Sequence, residues 1–518
     1  MRFLTAGSDG ILVELADLGG ALALLDGLQA ERPKGVTELV PAARTLLLRF
    51  DPLTTTRAAL EAELATRDVT PGPARAGRLI EIPVAYDGED LAEVAELLGW
   101  SVETLIRRHA GAEFTVAFTG FAPGFAYMTC SDEAFDVPRR KSPRLRIPAG
   151  SVALAGKFGG IYPSDSPGGW QILGTTPLAM WDLSRPQPAL LAPGDRVVFR
   201  DITKGGSVPV AVPTRSVDPA PVTPAITLLQ SAAPVLVQDS GRSGQAAQGV
   251  ATSGALDQRA LRDLNRLLGN PPGTPALELT FGGASFRAEK ALTLGMSGAP
   301  VSLHLETAAG ARRSLPFGEA LALDAGDKLH IGAPKEGMLS YLGLRGGFDI
   351  APVLGSRSRD TLAKVGPEPL APGAGLALGT APLRPVESAL SPRDLPQVGQ
   401  IVTLDVHLGP RDDWFTEAGL ARFTSQLWHV SNEISRTGKR LQGEEPLERR
   451  DNAELPSEAT VPGAIQVPHS GQPVLFLKDH PLTGGYPVIA CIADHHLDLA
   501  AQIPPGACIR FHPISKGA

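Results

Sequence analysis

The sequence predicts a mainly β protein with α+β parts, arranged as several barrel or sandwich units. Glycine and proline supply 57 and 47 of the 518 residues, about a fifth of the chain, while 43% of residues are hydrophobic. Disorder requires low hydrophobicity, so this composition fits dense turns between short buried strands. The length suggests three or four domains of about 150 residues each. Net charge is −7, so no basic face for nucleic acid is expected. Three scattered cysteines, Cys130, Cys491 and Cys508, are too few for a disulfide frame or a cysteine-rich zinc site. No basic leader and no run of 18 apolar residues is visible. The expectation is a soluble cytoplasmic protein with no membrane partner.

Residues 1–78 read as a small α/β domain. Its strands lie at Ile11–Leu15 and Leu46–Phe50, and its helices at Gly19–Ala30 and Thr56–Thr66. Pro71–Gly77 is linker-like. A β-barrel unit is expected over 79–204. It opens with the alternating strand Leu79–Val84, a helix over Leu91–Leu98, and a second helix from Val102 capped by Ser101. Strand Phe114–Phe118 then enters the glycine and aromatic turn Thr119–Tyr127. The proline-dense stretch 205–224 reads as the interdomain linker. A β lobe over 225–385 contains a helix from Asp257 to about Leu268, with Leu261, Leu264, Leu267 and Leu268 on one face. A second β lobe over 386–518 carries one helix near Asp412–Gln426.

No phosphate loop, zinc-protease helix, nucleophile elbow or dinucleotide fingerprint is present. Four polar, glycine-flanked sets remain: Tyr162–Gln171, Gln238–Asp257, Arg436–Arg440 and Gln466–Tyr486. Such sets suit a small polar ligand and oxyanion stabilisation, and four in one chain suggest a shared cleft. Trp170 is either a wall for a planar ligand or a core tryptophan. Arg139, Arg140, Lys141, Arg144 and Arg146 are either a solvated stretch or an anion site. Adjacent His495 and His496 are expected to point apart, so no metal is assigned.

The stretches GFAPGFAYM, KSPRLRIPAGSVALAG and GIYPSDSPGGWQILGTTP resemble the B-type component of bacterial 5-oxoprolinase (allophanate hydrolase subunit 1). QDSGRSGQAAQGVATSGALD, NRLLGN, GSRS, VPGAIQVPHSGQPV and TGGYP resemble the C-type component (allophanate hydrolase subunit 2). Together they are similar to the carboxyltransferase part of urea carboxylase, and to an inhibitor–antagonist pair acting on a sporulation histidine kinase. The resemblance implies a cyclophilin-like barrel in the B-type half and cyclophilin-like barrel lobes in the C-type half. It implies ATP-driven opening of 5-oxoproline, a small-molecule amide, to glutamate with a separate A-type subunit. It also leaves two alternatives. One is carboxyl transfer to a urea-like amide from carboxybiotin carried on another protein; the other is non-catalytic control of a kinase. A homo-oligomer is compatible with either half.

The matched positions supply the candidate residues. His109, Arg144, Arg242 and Asp239 are the catalytic candidates. The substrate-binding candidates in the B-type half are Gly124, Ser151, Tyr162, Ser166, Gly168, Gly169, Trp170 and Gln171. In the C-type half they are Gln238, Asp257, Arg436, Arg440, Gln466, Gly484, Gly485 and Tyr486. No nucleophile or base is assigned among them. The sequence departs from the family pattern at Phe158-Gly159, at Ser435, where a carboxylate is lost, and after Ser358, where RDTLAKVGPEPLAPGAG replaces a glycine-rich stretch.

Overall fold

The computed structural model describes residues 1–70, 77–140, 142–203, 223–450 and 453–514. Most of the predicted linker at 205–224, and most of the one at 71–77, lies outside these residues. The N-terminal unit is a four-stranded antiparallel sheet. Its order is Arg2–Thr5, Gly10–Glu14, Thr45–Phe50, Val36–Pro41. Helices Leu18–Ala30 and Arg57–Leu64 cover one face, capped by the side chains of Asp17 and Thr56. Each cap satisfies an amide that the first helical turn leaves without a carbonyl. Leu24, Leu25 and Leu28 pack against Ile11, Val13, Leu46 and Leu48.

The next unit is a seven-stranded sheet ordered Gln171–Thr175, Ser151–Ala155, Phe158–Ile161, Ala126–Cys130, Glu113–Thr119, Arg196–Asp201, Leu79–Val84. The last two strands run parallel. A bridge between Ala85 and Thr175, with both amide bonds at 2.8 Å, draws the edges together into a barrel. Helices Leu91–Leu97 and Val102–Gly111 lie against it, the second capped by Ser101 as predicted.

Residues 226–376 form two facing sheets around one core, in which Ile226, Leu228, Phe286 and Leu329 meet Val235, Leu277, Leu294 and Leu342. Helix Gln258–Leu268 packs on strands Leu292–Gly298 and Leu339–Leu344. Its close approach needs Gly295 and Gly343, where an added Cβ would lie 3.0 Å from Leu267 and Leu264.

The final unit is a closed barrel ordered Ile401–Leu408, Val488–Ile492, Ala464–Gln466, Val474–Phe476, Gly438–Gln442, Trp428–Ile434, Cys508–Pro513. Strand for strand this repeats the B-type barrel. In both, the first strand runs parallel to the last, and every other pairing is antiparallel. The IPAGSVALA and VPGAIQV stretches occupy equivalent strands, as do GGWQILG and GGYPVIAC. No helix among the described residues is long and apolar enough to cross a membrane.

The N-terminal sheet docks its second face on this final barrel. Leu4, Leu12, Val40 and Leu47 meet Val461, Phe476, Leu482 and Val488. Beside them Arg411, nearly fully buried, pairs with both Glu458 and Glu14, and Arg44 reaches Glu14 at 2.5 Å. Burial alone would raise the Glu14 pKa, but hydrogen bonds from Arg44 and Arg411 outweigh it and pull the group from 4.5 down to about 2.

Removing one partner of a buried pair leaves a charge without compensation. Arg411→Ala is therefore expected to cost about 3–5 kcal/mol, read as a lower urea midpoint. Because the Glu14 pKa is depressed, its contribution is present above pH 4.5 and is lost as pH falls through about 2. Glu14→Gln should flatten acid unfolding in that window, and an unchanged acid profile would remove this role.

Candidate active site

A cleft of about 920 Å³ opens where the two barrels and the two-sheet lobe meet. Phe121–Pro123 and Ser164–Pro167 line it from the B-type barrel, Gly249, Ala251 and Asp360–Lys364 from the lobe, and Glu433–Ser435, Thr437, Gly438, Arg440, Gln466, His480–Leu482 and Tyr486 from the final barrel. Each of the four glycine-flanked sets contributes to this one wall.

The glycine turn after strand Glu113–Thr119 is an interface. The Phe121 amide donates to Thr483 Oγ1 at 3.0 Å, and the Gly124 amide donates to Gln248 O at 3.0 Å. At Gly120 a Cβ would sit 2.5 Å from Thr483 Oγ1, and at Gly249, with φ +77°, 2.6 Å from Ala122 O. These glycines let the halves close on each other.

Asp360 is the buried carboxyl group of the cleft lining, beside the exposed Asp165 and Glu433. Its Oδ1 accepts the amides of Leu362 and Ala363 at 3.0 and 2.8 Å. Burial, and then the neighbouring Asp479 carboxylate, push its pKa up to about 7. The loop that carries it is fixed from behind. Asp239 accepts from Ser356 Oγ at 2.6 Å, Ser358 Oγ at 2.5 Å and the Arg357 amide at 2.6 Å. Gln238 Nε2 donates to Arg359 O at 2.8 Å, and Arg242 donates to Ser358 O. The QDSGR and GSRS stretches are thus one hydrogen-bonded knot. Arg242 is 2% exposed, and its Nε and Nη1 reach no hydrogen-bond partner among the described residues.

Arg436 lies beneath the same loop. Its Nε and Nη2 donate to Asp479 at 2.9 and 3.0 Å, Nη2 to Gly254 O at 2.6 Å, and Nη1 to Glu278. Asp479 Oδ2 in turn accepts both the amide and the hydroxyl of Thr361 at 2.8 Å. Burial pulls the Arg436 pKa down, but Asp479 and Glu278 raise it further, so the guanidinium stays charged.

The structure brings Ser166, Arg440, Gln466 and Tyr486 to the cleft, with Arg440 paired to Glu433 at 2.7 Å. Gly484 and Gly485 adjoin it: Gln466 Nε2 donates to Tyr486 O, and a Cβ at Gly484 would lie 2.7 Å from that nitrogen. Asp239, Arg242, Gln238 and Arg436 stand behind the cleft as supports. Asp257 caps helix Gln258–Leu268 and pairs with Arg393 and Gln502 at 2.9 and 2.8 Å.

Other candidates lie elsewhere. His109 is 1% exposed, stacked on Phe199 at 4.5 Å and bonded to Tyr86 Oη at 2.8 Å; burial pushes its pKa down to about 3. It is a neutral core histidine, away from the cleft. Arg144 and Arg140 converge on Asp90, 2% exposed, which also accepts the Ile172 amide. Arg146 pairs with Asp165. The basic stretch therefore commits Arg140 and Arg144 to the buried Asp90, and Arg146 to Asp165, an exposed carboxylate of the cleft lining; Lys141 lies outside the described residues. Trp170 is a core tryptophan, 5% exposed, edge-on to Phe125 at 5.3 Å, with Tyr162 in the same cluster. Ser151 and Gln171 are buried in strands, Gly124 is an interface turn, and Gly168 approaches Tyr162 Oη too closely for a side chain. Gly169 O accepts the Arg140 amide at 2.9 Å.

The sequence reading missed Asp360, Thr361 and Lys364. The signal was present in the departure after Ser358, since the substituted stretch supplies this wall, and Ser435, where the family carboxylate is lost, also lines it.

Two barrels of one topology meeting in a shared cleft define the class of protein. The chain belongs to the carboxyltransferase domain family: residues 1–191 match its subdomains C and D, and residues 248–513 its subdomains A and B. It is 37% identical over 278 residues to the C-type component of 5-oxoprolinase from Escherichia coli K12, covering 53% of this chain and 86% of that one. It is 47% identical over 125 residues to the B-type component of 5-oxoprolinase from Escherichia coli O157:H7, covering 24% of this chain and 57% of that one. The crystal structure of TTHA0988 superposes with a TM-score of 0.83 at 34% identity over 97% of this chain and 99% of that one. Urea carboxylase of Kluyveromyces lactis gives 0.52 at 28% identity, over 60% of this chain and 29% of that one.

A raised carboxyl pKa stabilises the fold below the ordinary value of 3.8, and the contribution is lost as pH rises through about 7. Asp360→Asn should therefore raise the melting temperature more at pH 8 than at pH 5. Equal shifts at both pH values would contradict a protonated Asp360. Arg436→Lys keeps the charge but not the forked donors, and is expected to cost about 3 kcal/mol or more in urea unfolding.

Proposed function

We propose that this chain is the fused B-type and C-type component of an ATP-dependent 5-oxoprolinase, opening 5-oxoproline to glutamate with a separate A-type subunit. The observation that carries this reading is the cleft itself. It is built jointly by two halves whose relatives are named as the B-type and C-type components of that enzyme. Lactam opening needs a proton for the departing nitrogen and donors for the carbonyl oxygen. Asp360, protonated up to about pH 7, is the proton donor in this scheme. The Thr437 hydroxyl is the oxygen's donor in this scheme, since those of Thr361 and Ser166 already donate to Asp479 and to the Ser164 carbonyl, and Lys364 is the partner of the substrate carboxylate. Arg242, Asp239 and Arg436 act as positioning residues.

The cleft does not fit a triphosphate by itself. Among its described lining residues the cations are Lys364 and Arg440, and Arg440 is committed to Glu433. No step on this chain is therefore routed through ATP, and nucleotide handling falls to the partner protein. The alternative is carboxyl transfer from carboxybiotin on another protein to a urea-like amide. A volume near the top of the usual ligand-site range of about 300–1,000 Å³ favours it, because it exceeds what one small lactam fills.

Phosphate release from ATP, with and without 5-oxoproline, should require both this chain and the A-type subunit. Asp360→Asn should lower that turnover about 10²-fold or more while leaving the fold intact by circular dichroism. Release that ignores 5-oxoproline, or full activity in the variant, would overturn the assignment. Carboxybiotin-dependent carboxylation of a urea-like acceptor would establish the alternative.

A further inference from the structure

Four of the ten histidines gather at the rim of the final barrel, and none of the four lines the cleft. Asp405 and His407 alternate onto one face of strand Ile401–Leu408. His512 stands opposite Asp405 in the parallel register with Cys508–Pro513. Helix Asp494–Gln502 begins directly above them and brings His495 and His496 in its first turn. The two imidazoles do not diverge as adjacent helical residues would; their ring centres are 4.3 Å apart.

Asp405 is the centre of the group. Its Oδ2 lies 2.9 Å from His495 Nε2 and 3.8 Å from His496 Nδ1, and its Oδ1 lies 2.9 Å from His512 Nδ1. The Asp405 amide donates to His496 Nδ1 at 2.8 Å. In that bond Nδ1 is the acceptor, so the neutral ring carries its proton on Nε2 and its Nδ1 lone pair is held by the Asp405 backbone beside the carboxylate. In a tetrahedral site with metal–ligand bonds of about 2.0 Å, neighbouring ligand atoms are about 3.3 Å apart. The Asp405–His495 and Asp405–His496 separations bracket that edge length. One carboxylate with two or three imidazoles is the donor set of zinc and its neighbours, and not of magnesium or calcium, which take oxygen ligands.

We propose that Asp405, His495 and His496, with His512 on the second carboxylate oxygen, bind one divalent transition-metal ion of the zinc class. The ion displaces the proton shared by His495 and Asp405, and exchanges with the Asp405 amide at His496 Nδ1. It clamps the helix to the two parallel strands that close the barrel. The site stands apart from the cleft and does not rest on the oxoprolinase reading.

The test uses the full chain, stripped with a chelator and titrated with zinc by calorimetry, with cobalt absorption as the reporter of geometry. One ion per chain is expected, with the intense visible bands of tetrahedral cobalt and a raised melting temperature. Asp405→Asn and His495→Ala should each weaken zinc binding by about 100-fold. His304→Ala, on a strand of the two-sheet lobe, should leave it unchanged. All three side chains are at least partly exposed, and circular dichroism confirms their folding. No binding tighter than about 1 mM, or equal affinity in wild type and both ligand variants, would overturn the site.

Discussion

One buried guanidinium, that of Arg436, joins three segments far apart in the chain. It holds Glu278 from the two-sheet lobe, the Gly254 carbonyl ahead of helix Gln258–Leu268, and Asp479 from the final barrel. Neither carboxylate could be buried without it, since an isolated charge in a dry interior costs several kcal/mol. Glu278 also accepts from the Leu256 amide and Tyr341 Oη, at 3.0 and 2.7 Å, and Asp479 from Ser253 Oγ at 2.5 Å. The hydrogen bonds left over at Asp479 reach Thr361 and so hold the Asp360 loop. The chemistry of the cleft is set one layer behind it.

A second constraint acts from the far side. The N-terminal sheet is apolar on both faces, covering its own helices with one and the final barrel with the other. Residues near position 10 are therefore packed beside residues near 480, and the two barrels are brought face to face. The same seven-strand topology is used twice, and the turns that meet across the interface occupy different places in it: the turn after Glu113–Thr119 in one barrel and the turn before Val488–Ile492 in the other. Phe121 of one barrel and Thr483 of the other share a hydrogen bond at that junction.

Much of the secondary structure was legible locally. Ser101, Asp257 and the leucine stripe of Gln258–Leu268 place helices because capping and 3.6-residue periodicity act within a few residues. The convergence of four glycine-flanked sets was legible as a suggestion. The roles of individual residues were not. Arg144, His109 and Trp170 look chemical in sequence, yet their partners Asp90, Tyr86 and Phe125 make them structural, and those partners lie 23 to 54 positions away. Asp360 looked ordinary because its raised pKa comes from burial beside Asp479, far along the chain.

The sequence alone determined the mainly β class, the helix starts and the two-module resemblance, because these depend on composition, short-range periodicity and motif. The tertiary structure alone decided which polar residues face solvent, which are buried supports, and which share a cleft. Those outcomes depend on burial and on long-range pairing, where a carboxylate such as Asp360 or an imidazole such as His496 takes its properties from groups no local window contains.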